Sequence, residues 1–257
     1  MNEQSRREFL KTGFNAVVAY ALFDTLFSRD AFAREIKPLT LKWARELDAV
    51  CLDLRQHSIT LMQWQEQVEK LLERVELKEL LQLIDFDKLT KNFEFPDLGV
   101  NTKIVRLPKL EGLPEQPAFF SKIFGLKRGR AIIPHGHKNM VSAHLVLKGE
   151  FELRHYDKVK DETNHIIMTP TIDTLAKAGD ASSISDDKNN IHWFITRSDH
   201  AFTFDMIMTN IDPNFGKAYD IENIDPAEAE KISGNLLRVK KLNVDEALRK
   251  YGKEMHH

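Results

Sequence analysis

The chain has 257 residues and a formal net charge of -2, from 37 Lys and Arg against 39 Asp and Glu, with 42% hydrophobic and 30% charged residues. That composition supports a buried core and excludes a disordered or collagen-like chain, and the near-neutral balance supplies no global positive field for nucleic acid or an anionic membrane. The single Cys51 excludes an intrachain disulfide, a zinc ribbon and a redox C-x-x-C pair, so metal chemistry falls to the ten His and the carboxylates.

Residues 5 to 11 read S-R-R-E-F-L-K, an apolar run follows from Gly13 to Phe23, and small residues close the segment at Ala31, Phe32 and Ala33. This looks like a twin-arginine secretion signal cleaved after Ala33, which implies a periplasmic protein carried across the membrane already folded. The apolar run is about half the roughly 20 residues that a membrane-spanning helix needs, so no permanent membrane anchor is expected.

Residues 34 to 93 form the next unit. Apolar residues at helical spacing (Leu41, Ala44, Leu47, Val50, Leu54, then Leu61, Trp64, Val68, Leu71, Leu72, Val75, then Leu77, Leu80, Leu81, Ile84) predict two or three amphipathic helices, free of Gly, with Pro38 only at the start. From Phe93 the pattern changes to period two with turn residues every 8 to 12 positions. Eight strands are expected, near 102–107, 118–124, 129–133, 140–148, 150–156, 164–171, 190–196 and 201–209. Eight strands suit a jelly roll closing over residues 94–215. In the remaining segment, 216–257, Asp225 to Gly234 and Asn243 to Gly252 each read as N-cap, helix and terminating Gly. The fold class is therefore mainly β: a jelly-roll barrel with an N-terminal helical extension and short C-terminal helices.

His135 and His137 stand in P-H-G-H, and two extended residues apart their imidazoles share one face. Neutral imidazole is a common transition-metal ligand. From His135 the chain runs H-G-H-K-N-M-V-S-A-H-L-V-L-K-G, and later Gly179-Asp180 leads through a polar loop to N-N-I-H-W-F, Asn189 to Phe194. These two stretches resemble the first and second cupin motifs, over about residues 100 to 212. The resemblance implies that His135, His137 and His192 converge on one metal ion. Many cupins carry a Glu seven positions before the motif's Gly; here that position is Ser142, so three His alone are expected. H-x-H-x-x-M, V-L-x-G, N-I-H-x-F and Phe204-Asp205-Met206-Ile207 together look like the cysteamine and plant cysteine dioxygenases, which implies Fe(II) as the ion, with O2 and a small thiol-like chelating molecule as substrates; Mn, Ni or Zn are the alternatives. By the same resemblance Asp205 matches an Asp of those enzymes. Their paired prolines and Tyr after that Asp are replaced here by T-N-I-D-P-N.

Strand parity adds further expectations. Over 140–148, Met140, Ser142, His144 and Val146 share the face toward the cavity, with His144 as a fourth ligand, a donor to substrate, or a core histidine satisfied by a backbone carbonyl. Val141, Ala143, Leu145 and Leu147 then need cover, from the N-terminal helices or from a second subunit in a homodimer. Tyr156 joins His144 and Asp205 as a group that orients substrate, with Phe194 and Met140 as apolar walls. His200, Phe202, Phe204, Met206 and Met208 read as core rather than a cofactor box, and His155 and His165 as solvated residues beside a loop. The competing functions are a non-catalytic cupin that binds a small molecule or partner, and a Mn- or Ni-dependent isomerase or decarboxylase.

Overall fold

The computed structural model describes residues 38–252, so the leader sequence and its cleavage point lie outside the described residues. Four helices come first: α1 Pro38–Arg55, α2 Leu61–Arg74, α3 Leu77–Leu83 and α4 Phe86–Thr90. Helix α2 begins in a capping box, Thr60 accepting from the Gln63 backbone N–H while the Gln63 side chain accepts from that of Thr60. None of the described helices is long and apolar enough to cross a membrane.

Eleven strands follow: β1 Asn101–Val105, β2 Phe120–Lys127, β3 Ala131–Lys138, β4 Met140–Lys148, β5 Glu150–Asp161, β6 His165–Lys177, β7 Ala181–Ile184, β8 Ile191–Thr196, β9 His200–Thr209, β10 Asp220–Ser233 and β11 Leu236–Leu242. A last helix, α5, spans Val244–Tyr251. Strands β1-β2-β9-β4-β7 form one sheet in that order, and β10-β11-β6-β5-β8-β3 close on themselves into a barrel. The mainly β, jelly-roll architecture with an N-terminal helical layer is the one the strand periodicity implies. The Lys148-Gly149 turn joins β4 to β5, and Gly149 takes φ +80° with the Ala201 methyl packed where a Cβ would lie 2.8 Å away.

Parity decides which side chains meet. The inner face of β4 carries Ser142, His144 and Val146, and Val146 joins Phe151, Leu153 and Phe194 in the core between the five-stranded sheet and the barrel strands. On the outer face Ala143, Leu145 and Leu147 are buried because α2 packs over β4 and β7. Ser183 Oγ donates to Glu69 of α2, and Ser185 Oγ donates to Gln65. This cover comes from the chain's own helices, so the apolar face needs no second subunit. Phe202 meets the rings of Phe86 and Phe93, and Met206 meets Cys51, so Phe202, Phe204, Met206 and Met208 of β9 are core, as read, whereas His200 at the strand's start is exposed. Asp205, one residue out of step, faces the interior opposite His144.

One C-terminal segment departs from the sequence reading. Asp225 to Gly234 is not a helix: it lies in β10 and its turn into β11, with Gly234 at φ +54°. Pro226 sits in a register shift between Asp225 and Glu230, where a strand tolerates a missing N–H. The second C-terminal expectation holds, since α5 starts at a capping box on Asn243 and ends at Gly252. That helix covers the back of β3 and β8, where Ala247, Leu248 and Tyr251 pack on Ile133, Trp193 and Ile195.

Candidate metal centre

His135 and His137 come from β3 and His192 from its antiparallel neighbour β8, with His192 directly across from His135. A register shift between Ile132 and His135, at Pro134, resets the strand's alternation. Ile132 therefore joins the interior apolar cluster, Ile133 the cluster under α5, and both His135 and His137 still turn inward. Without that extra residue, Ile132 and His135 would lie on opposite faces.

The three rings are buried, and His135 Nε2 lies 2.8 Å from His137 Nε2 and 3.1 Å from His192 Nε2. Metal–nitrogen bonds of about 2.1 Å at right angles would separate the nitrogens by about 3.0 Å, so this spacing fits one cation on three imidazoles. The tautomer of the central ring fits too: His135 Nδ1 donates to the Ile133 carbonyl at 2.7 Å, leaving the Nε2 lone pair free to ligate. Burial pushes His135 down to about 4 and holds His137 and His192 well below the usual imidazole range, with neighbouring imidazoles adding to the effect on the latter two. All three are thus neutral at pH 7 and able to donate lone pairs. Among the described residues they form the one group of three or more His, Cys or carboxylate side chains suited to a metal ion.

Two further imidazoles stand beside them. His144 of β4 donates from Nδ1 to Asp205 Oδ2 at 2.6 Å, and Asp205 Oδ1 accepts from Thr203 Oγ1 at 2.5 Å. The ring of His144 touches those of His192 and Phe194 at 4.9 and 5.2 Å between centroids. The structure places His144 beside His192 and joins it to Asp205 by a hydrogen bond. His155 is the residue the sequence reading misplaces: because β5 runs on to Asp161, His155 is mid-strand and 0% exposed, with its ring 6.1 Å from that of His192. Burial pushes it down to about 3, with His144 adding to the effect. Parity at the right strand length would have found it, since His155 follows Phe151 and Leu153 on the inner face.

Tyr156 is not part of this constellation. The residue after an inward His155 turns outward, and Tyr156 packs with Ile166, Met168, Ile191, Ile224 and Val239 in a separate cluster. Ser142, standing where the Glu of many cupins falls, is buried with its Oγ unpartnered; the donor set at the centre is nitrogen only. Phe194 forms a wall against His144, His155 and His192, and Met140 is buried on the same strand face as His144.

A cavity of about 340 Å³ reaches inward to His144, Val146, Leu153 and Phe194, with Glu73 and Asp180 among its lining and neither Lys nor Arg. Its size is that of a small-molecule site.

The acid response of the metal-free protein follows from these rings. An unfolded imidazole titrates near 6.5, so between about pH 6.5 and 4 the unfolded chain binds protons that the folded protein refuses. Stability is whole above about pH 6.5 and lost as the pH falls toward 4. Urea midpoints measured across that window are expected to be level above pH 7 and to fall steeply below 6.5.

Fold and site together define a jelly-roll β-barrel with a buried three-imidazole cluster. No protein-family model and no curated protein matches the chain. Among solved structures it is similar to KdgF from Halomonas sp., with 16% identity and a TM-score of 0.30 over 42% of this chain and 77% of that one. It is also similar to procruciferin, an 11S globulin from Brassica napus, with 13% identity and a TM-score of 0.36 over 54% of this chain and 30% of that one. An oxalate oxidase matches at 16% identity and a TM-score of 0.34 over 47% of this chain and 56% of that one. The chain thus spans under a third of procruciferin and somewhat over half of the oxalate oxidase. At similarity this low, a functional reading rests on the strand topology and the positions of the histidines.

Proposed function

We propose that the protein is an exported metal-binding cupin, and that it oxidises a small chelating, thiol-like substrate with dioxygen on a non-haem ferrous ion. The observation that carries the metal assignment is the set of three buried, neutral imidazoles whose Nε2 atoms stand about one coordination edge apart. Neither a thiol nor a carboxylate accompanies them, and a nitrogen-only face of three ligands leaves the remaining positions of the ion to exogenous groups.

His135, His137 and His192 would hold the ion, which supplies Lewis acidity toward a thiolate and electron transfer to dioxygen. The chain's own part is orientation and exclusion of water. Phe194 and Val146 give the apolar wall. Asp205 fixes the orientation of His144 by accepting its Nδ1–H. His144 Nε2 is buried without a partner, so it is placed to hydrogen-bond a substrate in the cavity that it lines. Asp205→Asn removes the acceptor that sets this orientation. It is expected to lower turnover about 10- to 100-fold while leaving metal content unchanged, measured by oxygen uptake beside elemental analysis.

Elemental analysis of the protein purified without added metal, followed by oxygen uptake with thiols and 1,3-diketones, tests the reading. Iron together with substrate-dependent oxygen consumption supports it. Manganese or nickel without net oxygen consumption favours the isomerase or decarboxylase reading, and no metal favours a non-catalytic binding role. Export by the twin-arginine route is part of the proposal, resting on Ser5–Lys11 and Gly13–Phe23, and is checked by fractionating cells that express the Arg6→Lys, Arg7→Lys double variant.

A further inference from the structure

Helix α2 buries one amide, Gln65, among Trp64, Val68, Leu71 and Leu72. A buried amide is costly unless its donor and its acceptor are both matched, and Gln65 spends both on one loop. Its Oε1 accepts from Ser185 Oγ at 2.6 Å, and its Nε2 donates to the Lys188 carbonyl at 3.3 Å. Ser185 Oγ also accepts from the backbone N–H groups of Asp187 and Lys188, so it fixes the shape of the turn between β7 and β8. From the end of that turn Asn190 reaches back to the metal centre: its Nδ2 donates to the Ser185 carbonyl at 3.2 Å and to the His137 carbonyl at 2.8 Å.

The backbone of His137 has little other support on this side. The last pair of the ladder between β3 and β8 is Gly136 with Ile191, and beyond it the His137 N–H donates to the Asn190 carbonyl at a long 3.4 Å. The ring of His135 is oriented by its Nδ1 on the Ile133 carbonyl, whereas His137 Nδ1 is buried with no partner among the described residues. The aim of the His137 ring therefore depends on where its backbone is held, by β10 on one edge and by Asn190 on the other. Gly136 fits the same account: a Cβ there would lie 2.9 Å from Asn190 Oδ1, so the amide is seated against the backbone between the two ligands of β3.

We propose that Gln65 and Asn190 are positioning residues for the ligand His137, so that the helical layer, through Gln65, Ser185 and Asn190 in series, sets how tightly the centre holds its ion. The inference rests on the metal assignment made above and deepens it, since it gives the helices a part in the site beyond covering β4. Groups that orient a metal ligand from outside contribute about 10- to 100-fold in affinity. The coupling runs both ways: an ion that fixes His137 also tightens the seat of α2 on the loop.

The test is Co(II) binding to the full chain, with affinity read by competition against a chelator and ligand geometry by the cobalt absorption band. Gln65→Leu and Asn190→Ala are each expected to weaken binding about 10-fold or more and to shift the band. Because the two act in series, the double variant should bind no more weakly than Asn190→Ala alone. Val68→Ala loosens the same helix without touching these hydrogen bonds, so it should lower Tm and leave cobalt affinity and band as in the wild type. Wild-type affinity in Gln65→Leu, an equal loss in Val68→Ala, or additive losses in the double variant overturns the proposal, and Gln65→Leu with Val68→Ala decides it should Asn190→Ala not fold. A wild-type chain that takes up no cobalt overturns the metal assignment and this proposal with it, whereas cobalt bound equally by the wild type and every variant overturns the positioning role alone.

Discussion

Replacing His135 or His192 with alanine is expected to abolish stoichiometric metal binding while the far-ultraviolet circular dichroism stays that of the wild type. The argument is geometric. His135 Nε2 is the shared vertex of both short nitrogen–nitrogen distances, so its removal leaves His137 and His192 with no common neighbour. His192 is the single ligand supplied by β8, and without it the two β3 imidazoles offer only an edge. Losing one of three protein ligands should weaken binding by more than the roughly 10- to 100-fold typical of outer groups that merely orient a ligand. The fold should tolerate either change, since the ladder between β3 and β8 is made by backbone and the surrounding core of Phe151, Leu153 and Phe194 is untouched. Elemental analysis after dialysis against a weak chelator reads the outcome, and stoichiometric metal in both variants would refute the assignment.

The largest loss of stability is expected at Leu145, through Leu145→Ala. Its side chain is 1% exposed between β4 and the helical layer, and large-to-small changes at such sites cost about 2–5 kcal/mol. The neighbouring inward residue is His144, so the same strand carries the seam to the helices on one face and the site on the other. Guanidinium unfolding should show a lower midpoint with an unchanged slope. The helical layer is thus an integral wall of the molecule, and a chain beginning near Phe93 would expose Ala143, Leu145, Phe202 and Met206 to water and aggregate.

The sequence made the site more legible than the molecule's far end. The period-two alternation over 140–148 coincides with β4 itself, and the same alternation puts His144 inward and Leu145 outward on pattern alone. His135 and His137 were readable as a pair because alternate residues of an extended segment share one face, and His192 joined them only through the resemblance of its stretch to the second cupin motif. Asp205 was harder: on parity it opposes the aromatic set of β9, and the conflict dissolves because β9 is buried on both faces, its aromatics under helices and its carboxylate in the barrel. His155 escaped because the charged run after Tyr156 resembles a loop, although β5 and β6 continue as a long, half-exposed ladder. The C-terminal departure has a similar cause. Asp225, Pro226 and Gly234 carry the grammar of a capped helix, but Asp225 is instead spent on the Tyr251 hydroxyl and Lys250. Beyond the bulge β10 is largely exposed, so no alternation marks it as a strand. Strand β7, at four residues, is too short for any periodicity to register.

Closure of the barrel through β10 has a bearing on biosynthesis. Residues 220–223 pair with the strand that carries His135 and His137, and α5 seals its reverse side; both come after the three imidazoles in the chain. A chain that stops short of them has the three imidazoles but lacks the strand and helix that hold β3 in place, so the ordering of the site follows the synthesis of α5.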